Sequence, residues 1–558
     1  MQQREKQSGN PVYILPLIII AGAALRLVLI GRLPYGLNQD EASIGYDAWS
    51  LLSFGIDRNG YPWPIYPITW GSGGGSPLMI YLTVLSTKIL GRSIFSLRII
   101  PAILGALTPL VAALVLLPDN TISRDTPAGR DWERSAGRGS AAPGKASERA
   151  FVTACFAAFI IAINPWHIML SRWALDSNTL PFFQILAILA LVRAANATRH
   201  RLPRYMLCAA LFALLPYSYG SATIVVPMVM VLSAVWLMLR KRMTLAELIC
   251  SALTFTIVLL PLIAFFAINK LGMDAVITPY FSIPTFTSER SIFLPLGSDD
   301  LFTLIKNNVW YLIKFFTLGA EDGEIICNYV PGFAQMYKFT FPLTLIGIAL
   351  GIFRTLKGKS TTDAVMLFFT LSTALFTLFI EPDINRMTLL LIPMCYFQAV
   401  TLSTLYMMRR ELGIAAGAAL LAACGFFAVS YFGPRYAGLS HDAFMPGYTE
   451  AVRCAVDIAG DERVIISTYT GLSAPFMSAL YESETPPGVF LETVEWKDEN
   501  AEFRVAKEFG RFIFGLPEDG GIPDTSQYVV ILHTSETGSV DESSIVATFG
   551  DYAVAARE

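Results

Sequence analysis

Charged residues are scarce in this 558-residue sequence, since only 15% of its residues are Asp, Glu, Lys or Arg, whereas soluble domains carry about 25%. Hydrophobic residues make up 54% of the chain and the mean hydropathy is +0.52, which excludes an ordinary water-soluble enzyme. The net charge is −3, and no Lys/Arg-rich face interleaved with aromatic residues occurs, so a nucleic-acid partner is not expected.

Several motifs that carry chemistry are also absent. The seven cysteines include no CxxC pair, which excludes the common zinc and redox motifs. Cys327 and Cys454 could pair, but two free thiols are favoured. Neither a GxxxxGK[ST] phosphate loop nor a dinucleotide-binding fingerprint is present. The sequence therefore offers no site for a soluble nucleotide.

What the chain does contain is a series of apolar runs of about 15–24 residues, long enough to cross a hydrocarbon layer about 30 Å thick. The first run is too long for a signal peptide and lacks a convincing cleavage site. We therefore predict a polytopic α-helical membrane protein with about eleven transmembrane helices, at 12–31, 97–117, 150–166, 179–195, 206–220, 221–240, 247–268, 338–354, 362–381, 388–407 and 411–432.

The topology follows from positive charge, because short Lys/Arg-rich loops stay in the cytoplasm. Such residues crowd into alternate connections, at the N-terminus and at 118–149, 199–204, 240–242, 354–359 and 409–410. The N-terminus is thus predicted to be cytoplasmic, and 32–96, 269–337 and 433–558 extracytoplasmic. The run Pro77–Leu90 is too short to span, so we expect juxtamembrane helices within 32–96.

Two further segments differ in composition from the helices. The loop 118–149 is rich in small residues and arginine and is predicted to be disordered. From 433 to 558 the sequence is typical of a small α/β domain. Its buried strands are expected at 463–467 and 528–532, and helical patterns at 446–459 and 499–514.

A first polar cluster follows the opening helix. Asn38 and Glu41 have the spacing of a helix capping box, which leaves Asp40 about 100° round the helix and able to face a cavity. The helix dipole at this position favours an ionised carboxylate. The alternative is that Asp40 and Glu41 both merely serve the start of the helix.

Two more clusters lie on the predicted outer side. Arg172 and Asp176 can pair at i, i+4 if the turn between them is helical, which would make them an ordinary interfacial ion pair. Asn385 and Arg386 lie at the mouth of two apolar helices, where arginine suits a phosphate, although it could instead reach lipid headgroups. Tyr219 reaches the same side, a weak signal because interfacial aromatics are common.

These clusters, in this order, resemble the GT-C glycosyltransferases, specifically the protein O-mannosyltransferase and aminoarabinose-transferase branch (glycosyltransferase family 39-like). The resemblance covers about residues 12–407. The matching pieces are Asp40-Glu41, Ser76-Pro77-Leu78, Leu90-Gly91-Arg92-Ser93, Leu97-Arg98-Ile99-Ile100-Pro101, Ser171-Arg172 with Asp176, and Asn385-Arg386.

The resemblance implies transfer of a sugar from a polyprenyl-phosphate donor to an acceptor at the outer face of the membrane. By position, Asp40 corresponds to the catalytic base, with Glu41 beside it, and Asp176 to a second acid. The groups near the donor phosphate would be Arg172, Asn385, Arg386 and Tyr219. No cofactor is implied; a divalent metal ion occurs in related oligosaccharyltransferases but is not predicted here.

One departure from the family pattern concerns the donor phosphate. The aminoarabinose branch has a lysine before its Pro-Pro-Leu, whereas this chain has Gly75-Ser76-Pro77-Leu78. The phosphate contact of that lysine must therefore come from another residue. The acceptor, whether protein, glycolipid or polysaccharide, cannot be inferred from that branch.

The function expected is an inverting transfer of a hexose or pentose to an acceptor hydroxyl, in a bacterial cell membrane, with membrane lipid around the enzyme. One alternative is a lipid or glycolipid transporter without transferase activity. Transporters usually show paired repeats with broken helices near the midplane, whereas the polar clusters here gather at one face. A second alternative is a surface-binding protein whose helices are only an anchor, for which eleven helices are excessive.

Overall fold

The computed structural model describes residues 13–117, 145–288, 300–319, 325–358, 360–468, 474–516, 525 and 527–557. Most of the predicted disordered loop 118–149 lies outside these residues, and the helix that follows it already begins at Lys145. The described chain consists of a helical bundle followed by a domain built on a β-sheet.

Fifteen helices are described between residues 13 and 432. They are α1 (Ile14–Leu27), α2 (Gln39–Phe54), α3 (Pro77–Leu90), α4 (Ile94–Leu116), α5 (Lys145–Ile163), α6 (Pro165–Leu170), α7 (Leu180–Asn196), α8 (Arg201–Leu214), α9 (Ala222–Leu239), α10 (Leu245–Leu271), α11 (Leu301–Thr317), α12 (Phe341–Leu356), α13 (Thr361–Thr377), α14 (Thr388–Met408) and α15 (Arg410–Phe432).

Each of the eleven segments predicted to span the membrane overlaps at least one described α-helix. Within the described ranges, seven helical stretches are long and apolar enough to cross a membrane by length and composition. They include α4, α9, α10, α14, α15 and, with the short turns that precede them, α7 and α12, whereas α1, α3 and α13 are shorter apolar helices. The predicted class, a polytopic α-helical membrane protein, is confirmed.

Helix α14 lies at the centre of the bundle, and its residues from Thr388 to Ser403 are all buried. A helix that is hydrophobic all round is typical of such a position. By contrast, α10 and α15 expose most of their apolar side chains at the outside of the bundle, where they would meet lipid. Apolar helices therefore occur both at the centre of the bundle, packed against other helices, and at its outside.

The predicted outer segments contain the remaining elements. Between α1 and α4 lie α2, α3 and the short strand pair β1 (Ile68–Thr69) and β2 (Gly73–Gly74). Between α10 and α12 lie β3 (Val276–Ile277), β4 (Ser282–Ile283) and α11. Helices in 32–96 were predicted, while the amphipathic α11 was not.

The C-terminal domain follows α15 directly. Its helices are α16 (Pro434–Leu439), α17 (His441–Phe444), α18 (Tyr448–Ala459), α19 (Pro475–Ser483) and α20 (Pro487–Thr493). Its described strands are β5 (Arg463–Ile466), β6 (Glu495–Trp496), β7 (Ala506–Phe509), β8 (Phe512–Phe514), β9 (Tyr528–His533), β10 (Ile545–Phe549) and β11 (Tyr552–Ala555).

These strands form one sheet in the order β10-β11-β9-β5-β8-β7-β6. Strand β5 runs parallel to both β8 and β9, and the other neighbours are antiparallel. The predicted strands at 463–467 and 528–532 and the helix at 446–459 are found. The helix predicted over 499–514 is wrong, because this stretch forms the antiparallel pair β7–β8 around Gly510, whose φ is +51°.

The C-terminal domain packs directly on α2. A single buried cluster contains Leu37, Ile44 and Tyr46 of the α2 region together with Met477 and Tyr481 of α19. A Cβ atom on Gly45 would lie 2.8 Å from the Tyr481 ring and 2.9 Å from Leu97, so only glycine permits this close approach. The domain therefore holds the helix that carries Asp40.

Candidate functional site

Helix α2 begins with the predicted capping box. The side-chain oxygen of Asn38 accepts a hydrogen bond from the backbone N–H of Asp40 at 2.8 Å. The carboxylate of Glu41 in turn accepts from the backbone N–H of Asn38 at 3.2 Å. The helix start is thereby satisfied without the side chain of Asp40, which remains available to the space beside the helix.

Asp40 is half-buried, and the indole N–H of Trp70 lies near enough to its carboxylate to favour the ionised form. Burial, together with the negative charge of Glu41, raises the pKa of Asp40 to about 6, although Arg58 and Trp70 oppose the shift. A carboxylic acid with this pKa is mostly ionised at neutral pH and binds a proton more readily than an ordinary Asp.

Glu41 has a different environment from Asp40. Its two oxygens accept from Arg98 at 2.8 and 2.6 Å, and one of them also accepts from the backbone N–H of Ala174 at 2.9 Å. Both charged side chains are fully buried. Glu41 therefore ties α2 to α4 and to the segment before Asp176, and its assignment to the catalytic group stays a prediction.

Asp176 is the first residue of the 3₁₀ turn Asp176–Thr179, which precedes α7. One of its carboxylate oxygens accepts from the backbone N–H of Ser76 at 2.9 Å, and the Ser76 hydroxyl donates to the carbonyl of Tyr217 at 3.0 Å. Asp176 and Asp40 are close enough to interact electrostatically. Burial and the charge of Asp176 both raise the pKa of Tyr66. We call Asp40, Tyr66, Trp70 and Asp176 the Asp40 site.

Arg172 does not take the position expected for a phosphate ligand. Its guanidinium is buried and donates to the backbone carbonyls of Leu25, Arg26 and Val28 at 2.8 to 3.0 Å, and it stacks over Phe432. These carbonyls lie at the C-terminal end of α1, where a cation is favourable. The ion pair with Asp176 is not formed, because the chain between the two residues is not helical.

Arg386 remains near the site but is engaged within its own loop. Its guanidinium pairs with Asp383 at 3.0 Å and with the exposed Glu381 at 3.4 Å. The neighbouring Asn385 accepts from the hydroxyl of Ser177 at 3.4 Å, which brings this loop next to Asp176. Tyr219 is half-buried against the core of the bundle, at the end of the turn that contacts Ser76.

The sequence did not indicate the buried pair Arg58–Asp47. The guanidinium of Arg58 bonds the two oxygens of Asp47 at 2.9 and 2.6 Å and the carbonyl of Ser43 at 2.7 Å. It also lies 3.1 Å from the sulfur of Met477 in α19. Burial alone would lower the pKa of Arg58, but Asp47 raises it. No local sequence pattern predicts this pair, because Arg58 lies in the loop that follows α2 and contacts Asp47 only when that loop folds back on the helix.

The charge of Arg58 acts on both acids of the Asp40 site. Arg58 is therefore a positive group that sequence reasoning missed. Within the described ranges, no group of three or more His, Cys, Asp or Glu residues could hold a metal ion. All seven cysteines are free, including Cys327 and Cys454.

The architecture is the GT-C fold: a bundle of membrane helices with acidic residues in the first segment after α1 and a separate C-terminal domain. Among solved structures, the chain is similar to ArnT from Cupriavidus metallidurans in the apo state, with a TM-score of 0.55, 11% identity and 98% of each chain covered. The structure of that protein bound to undecaprenyl phosphate matches with a TM-score of 0.54 and 10% identity.

A second similarity is to the oligosaccharyltransferase of Archaeoglobus fulgidus, with a TM-score of 0.47 and 16% identity, covering 84% of this chain. This chain spans only 63% of that enzyme. No family model matches the sequence, and no curated protein matches it. The resemblance expected from the sequence is thus confirmed at the level of the fold.

Proposed function

We propose that this protein is a membrane glycosyltransferase that moves a hexose or pentose from a polyprenyl-phosphate donor to an acceptor hydroxyl, with Asp40 as general base. The observation that carries the proposal is the Asp40 carboxylate: half-buried, held beside Asp176 and Trp70, and with a pKa raised to about 6. The fold shared with ArnT, one of whose structures contains undecaprenyl phosphate, supports a lipid-borne donor.

The chemistry requires one base and no acid. Asp40 takes the proton of the acceptor hydroxyl while the oxygen forms a bond to the anomeric carbon. The bond from that carbon to the phosphate oxygen breaks, and polyprenyl phosphate leaves as a stabilised anion. Because attack comes from the face opposite the leaving phosphate, the anomeric centre is inverted. A base in this role contributes about 10²–10⁴-fold to the rate.

Asp176 acts in this proposal as a positioning residue for the loop that carries Ser76. Its hydrogen bond to the Ser76 N–H fixes the glycine-rich segment that stands where the related branch has its lysine. Glu41 and Arg172 hold the surrounding backbone and take no part in the reaction. Their buried contacts leave neither side chain available to a substrate.

Arg386 is the group we assign to the donor phosphate, with Asn385 beside it. Its contact with Glu381 is long, and the Glu381 side chain is 82% exposed, so this pair contributes little to stability. A phosphate with two or more oxygens can replace Glu381 and form a bidentate contact with the guanidinium. Arg58 adds positive potential to the site but is held by Asp47.

We further propose that the reaction takes place at the extracytoplasmic face of a bacterial cell membrane, with the N-terminus in the cytoplasm. The Lys/Arg-rich connections support this orientation. The acceptor is a protein, glycolipid or polysaccharide hydroxyl. The C-terminal domain, which packs on α2 beside the Asp40 site, is the surface at which we place the acceptor.

The test is transfer from radiolabelled polyprenyl-phosphate hexoses and pentoses to a crude envelope acceptor by the purified full-length protein in detergent. Transfer without a vesicle barrier excludes a pure transporter. Asp40→Asn should abolish transfer, whereas Asp461→Asn, at an exposed aspartate of the C-terminal domain, should not. Full activity of folded Asp40→Asn protein would refute the proposed role of Asp40.

A further inference from the structure

A cavity of about 240 Å³ lies among α7, α8, α9 and α10, away from the Asp40 site. Its walls are almost wholly apolar and include Tyr205, Phe212, Pro227, Leu237 and Phe255. Val231, which lines it, is 63% exposed, and Ala252 and Thr256 are also exposed. The cavity therefore opens on the outer surface of the bundle, where the hydrocarbon chains of lipids would surround these helices.

Two buried hydroxyl groups face this cavity. Ser233 is 4% exposed and Ser251 is 5% exposed, and both line the cavity. Across the part of the chain that the structure describes, neither hydroxyl oxygen has a hydrogen-bond partner. Serine in a helix can donate to the carbonyl four residues earlier, and a hydroxyl left unpaired in an apolar environment is unfavourable. The unpaired hydroxyls of Ser233 and Ser251 therefore indicate that a ligand supplies their hydrogen-bond acceptors.

The end of the cavity farther from the Asp40 site is strongly basic. The turns that join α7 to α8 and α9 to α10, together with the first turn of α8, carry six cations, which we call the basic end. Glu247 is the one acid in 197–204 and 240–247, and it pairs with Arg201 at 3.0 Å. The hydroxyl of the cavity residue Tyr205 donates to the carbonyl of Arg242 at 2.6 Å, so the wall of the cavity and the basic end are joined. The six are Arg199, Arg201, Arg204, Arg240, Lys241 and Arg242.

Along the helix axes, the cations of the basic end come first, the two hydroxyls next and the apolar wall last. A lipid has its charged headgroup, polar linkage and hydrocarbon chain in the same order. Ser233 precedes Arg240 by seven residues and Ser251 follows Thr244 by seven residues, which places each hydroxyl about 10 Å inside the basic end. The apolar wall continues beyond them to Phe212 and Phe255. Cations at a membrane surface attract anionic headgroups, and the charge rule places these turns in the cytoplasmic leaflet.

We infer that this cavity binds one acyl chain of an anionic glycerophospholipid from the leaflet opposite the Asp40 site. The phosphate contacts the basic end, and ester carbonyl oxygens accept hydrogen bonds from Ser233 and Ser251. A polyprenyl phosphate has the same anionic head but no ester carbonyl, so the two hydroxyls favour the glycerolipid. The inference is independent of the proposed function, because none of these residues belongs to the Asp40 site.

The test is native mass spectrometry of the full-length protein in detergent, with dioleoyl phosphatidylglycerol or undecaprenyl phosphate added separately. Wild-type protein should retain one phosphatidylglycerol. Ala252→Trp, which fills the mouth of the cavity, should reduce its occupancy about tenfold. Ala418→Trp, at an exposed position on α15, is the matched control and should retain lipid as the wild type does.

A second measurement guards against a folding defect in Ala252→Trp. Phosphatidylglycerol should raise the Tm of wild-type protein. The Ser233→Ala/Ser251→Ala variant should lose most of that rise, while its lipid-free Tm should be no lower than that of lipid-free wild type, because the two unpaired hydroxyls are removed. Asp40→Asn should bind phosphatidylglycerol normally. Equal retention by Ala252→Trp and Ala418→Trp, or preference for undecaprenyl phosphate, would overturn the inference.

Discussion

The charged side chains at the two ends of the helical bundle differ in how deeply they are buried. At the Asp40 end, Glu41, Arg98, Asp47 and Arg58 are all buried and joined in two ion pairs. At the basic end, Arg240 and Lys241 are exposed. Buried ions need partners with good geometry, because removal from water is costly, whereas exposed cations remain solvated or meet lipid headgroups.

The ion pairs at the Asp40 end are more deeply buried than the Arg201–Glu247 pair at the basic end, whose side chains are 29% and 10% exposed. The buried pairs bind α2 to α4, to the loop after α2 and to α19, so the start of α2 cannot move independently. Asp40 is half-buried and lies outside these two ion pairs, close enough to Asp176 to interact with it electrostatically. At the basic end, Arg201 pairs with Glu247, whereas Arg240 and Lys241 are exposed and can meet a mobile partner.

The largest expected effect concerns Asp40 itself. Asp40→Asn removes the base while preserving shape, so kcat for sugar transfer should fall about 10²–10⁴-fold with little change in Tm. Lys241→Gln at the opposite end should leave kcat unchanged. Initial rates of the two purified variants give this comparison. If kcat fell equally in both, the assignment of catalysis to the Asp40 end would be contradicted.

Removing one partner of a buried pair should be the next most severe change. Arg98→Met leaves the Glu41 carboxylate buried without its cation and should cost about 3–5 kcal/mol of stability. The double variant Glu41→Leu/Arg98→Met should recover much of the loss, which thermal unfolding in detergent can measure. If Arg98→Met is as stable as the wild type, the pair does not hold α2 in place.

Arg386 should show a smaller effect confined to donor binding. Arg386→Gln removes a charge-assisted contact worth about 1.5–3 kcal/mol and should raise KM for the polyprenyl-phosphate donor about 10–100-fold. Glu381→Gln removes only the weaker of the two ion pairs of Arg386, since Asp383 remains at 3.0 Å, and should not raise KM. A loss of kcat at unchanged KM in Arg386→Gln would contradict its assignment to the donor phosphate.

The pH profile should show the smallest effect. Because the pKa of Asp40 is raised to about 6, kcat/KM should be constant above this pH and fall about tenfold per unit below it. The raised pKa means that the folded protein holds the proton more tightly, so this group's contribution to stability decreases as pH rises from about 4 to about 6. Burial and the charge of Asp47 raise the pKa of the buried Asp57 to about 7. Repeating the profile with Asp57→Asn distinguishes the titration of Asp57 from that of Asp40.

Part of this architecture could be read from local patterns. The apolar runs predict the eleven helices because each must satisfy its own backbone hydrogen bonds in lipid. The capping box at Asn38 and Glu41 was also predictable, since its contacts span three residues. The error at 499–514 has a local cause as well: Phe509 and Phe512 fit a helical period, while Phe512 and Phe514 alternate as in a strand.

The partners of the charged side chains could not be predicted in this way. Arg172 was expected to contact Asp176 or a phosphate, yet it closes the end of α1. Arg98 was only part of a family motif, and Arg58 carried no signal at all. Each of these contacts depends on how distant helices pack, which the spacing of residues along the chain does not specify.

The sequence by itself determined that this chain lies in a membrane, where its long apolar helices run, and that an acidic cluster follows the first of them, because hydrophobic length and helix capping are local properties. Only the tertiary structure decided which acid is buried in an ion pair and which is half-buried outside one. The reason is that burial and ion pairing depend on neighbours from α4, the loop after α2 and α19, which meet α2 only in the folded protein.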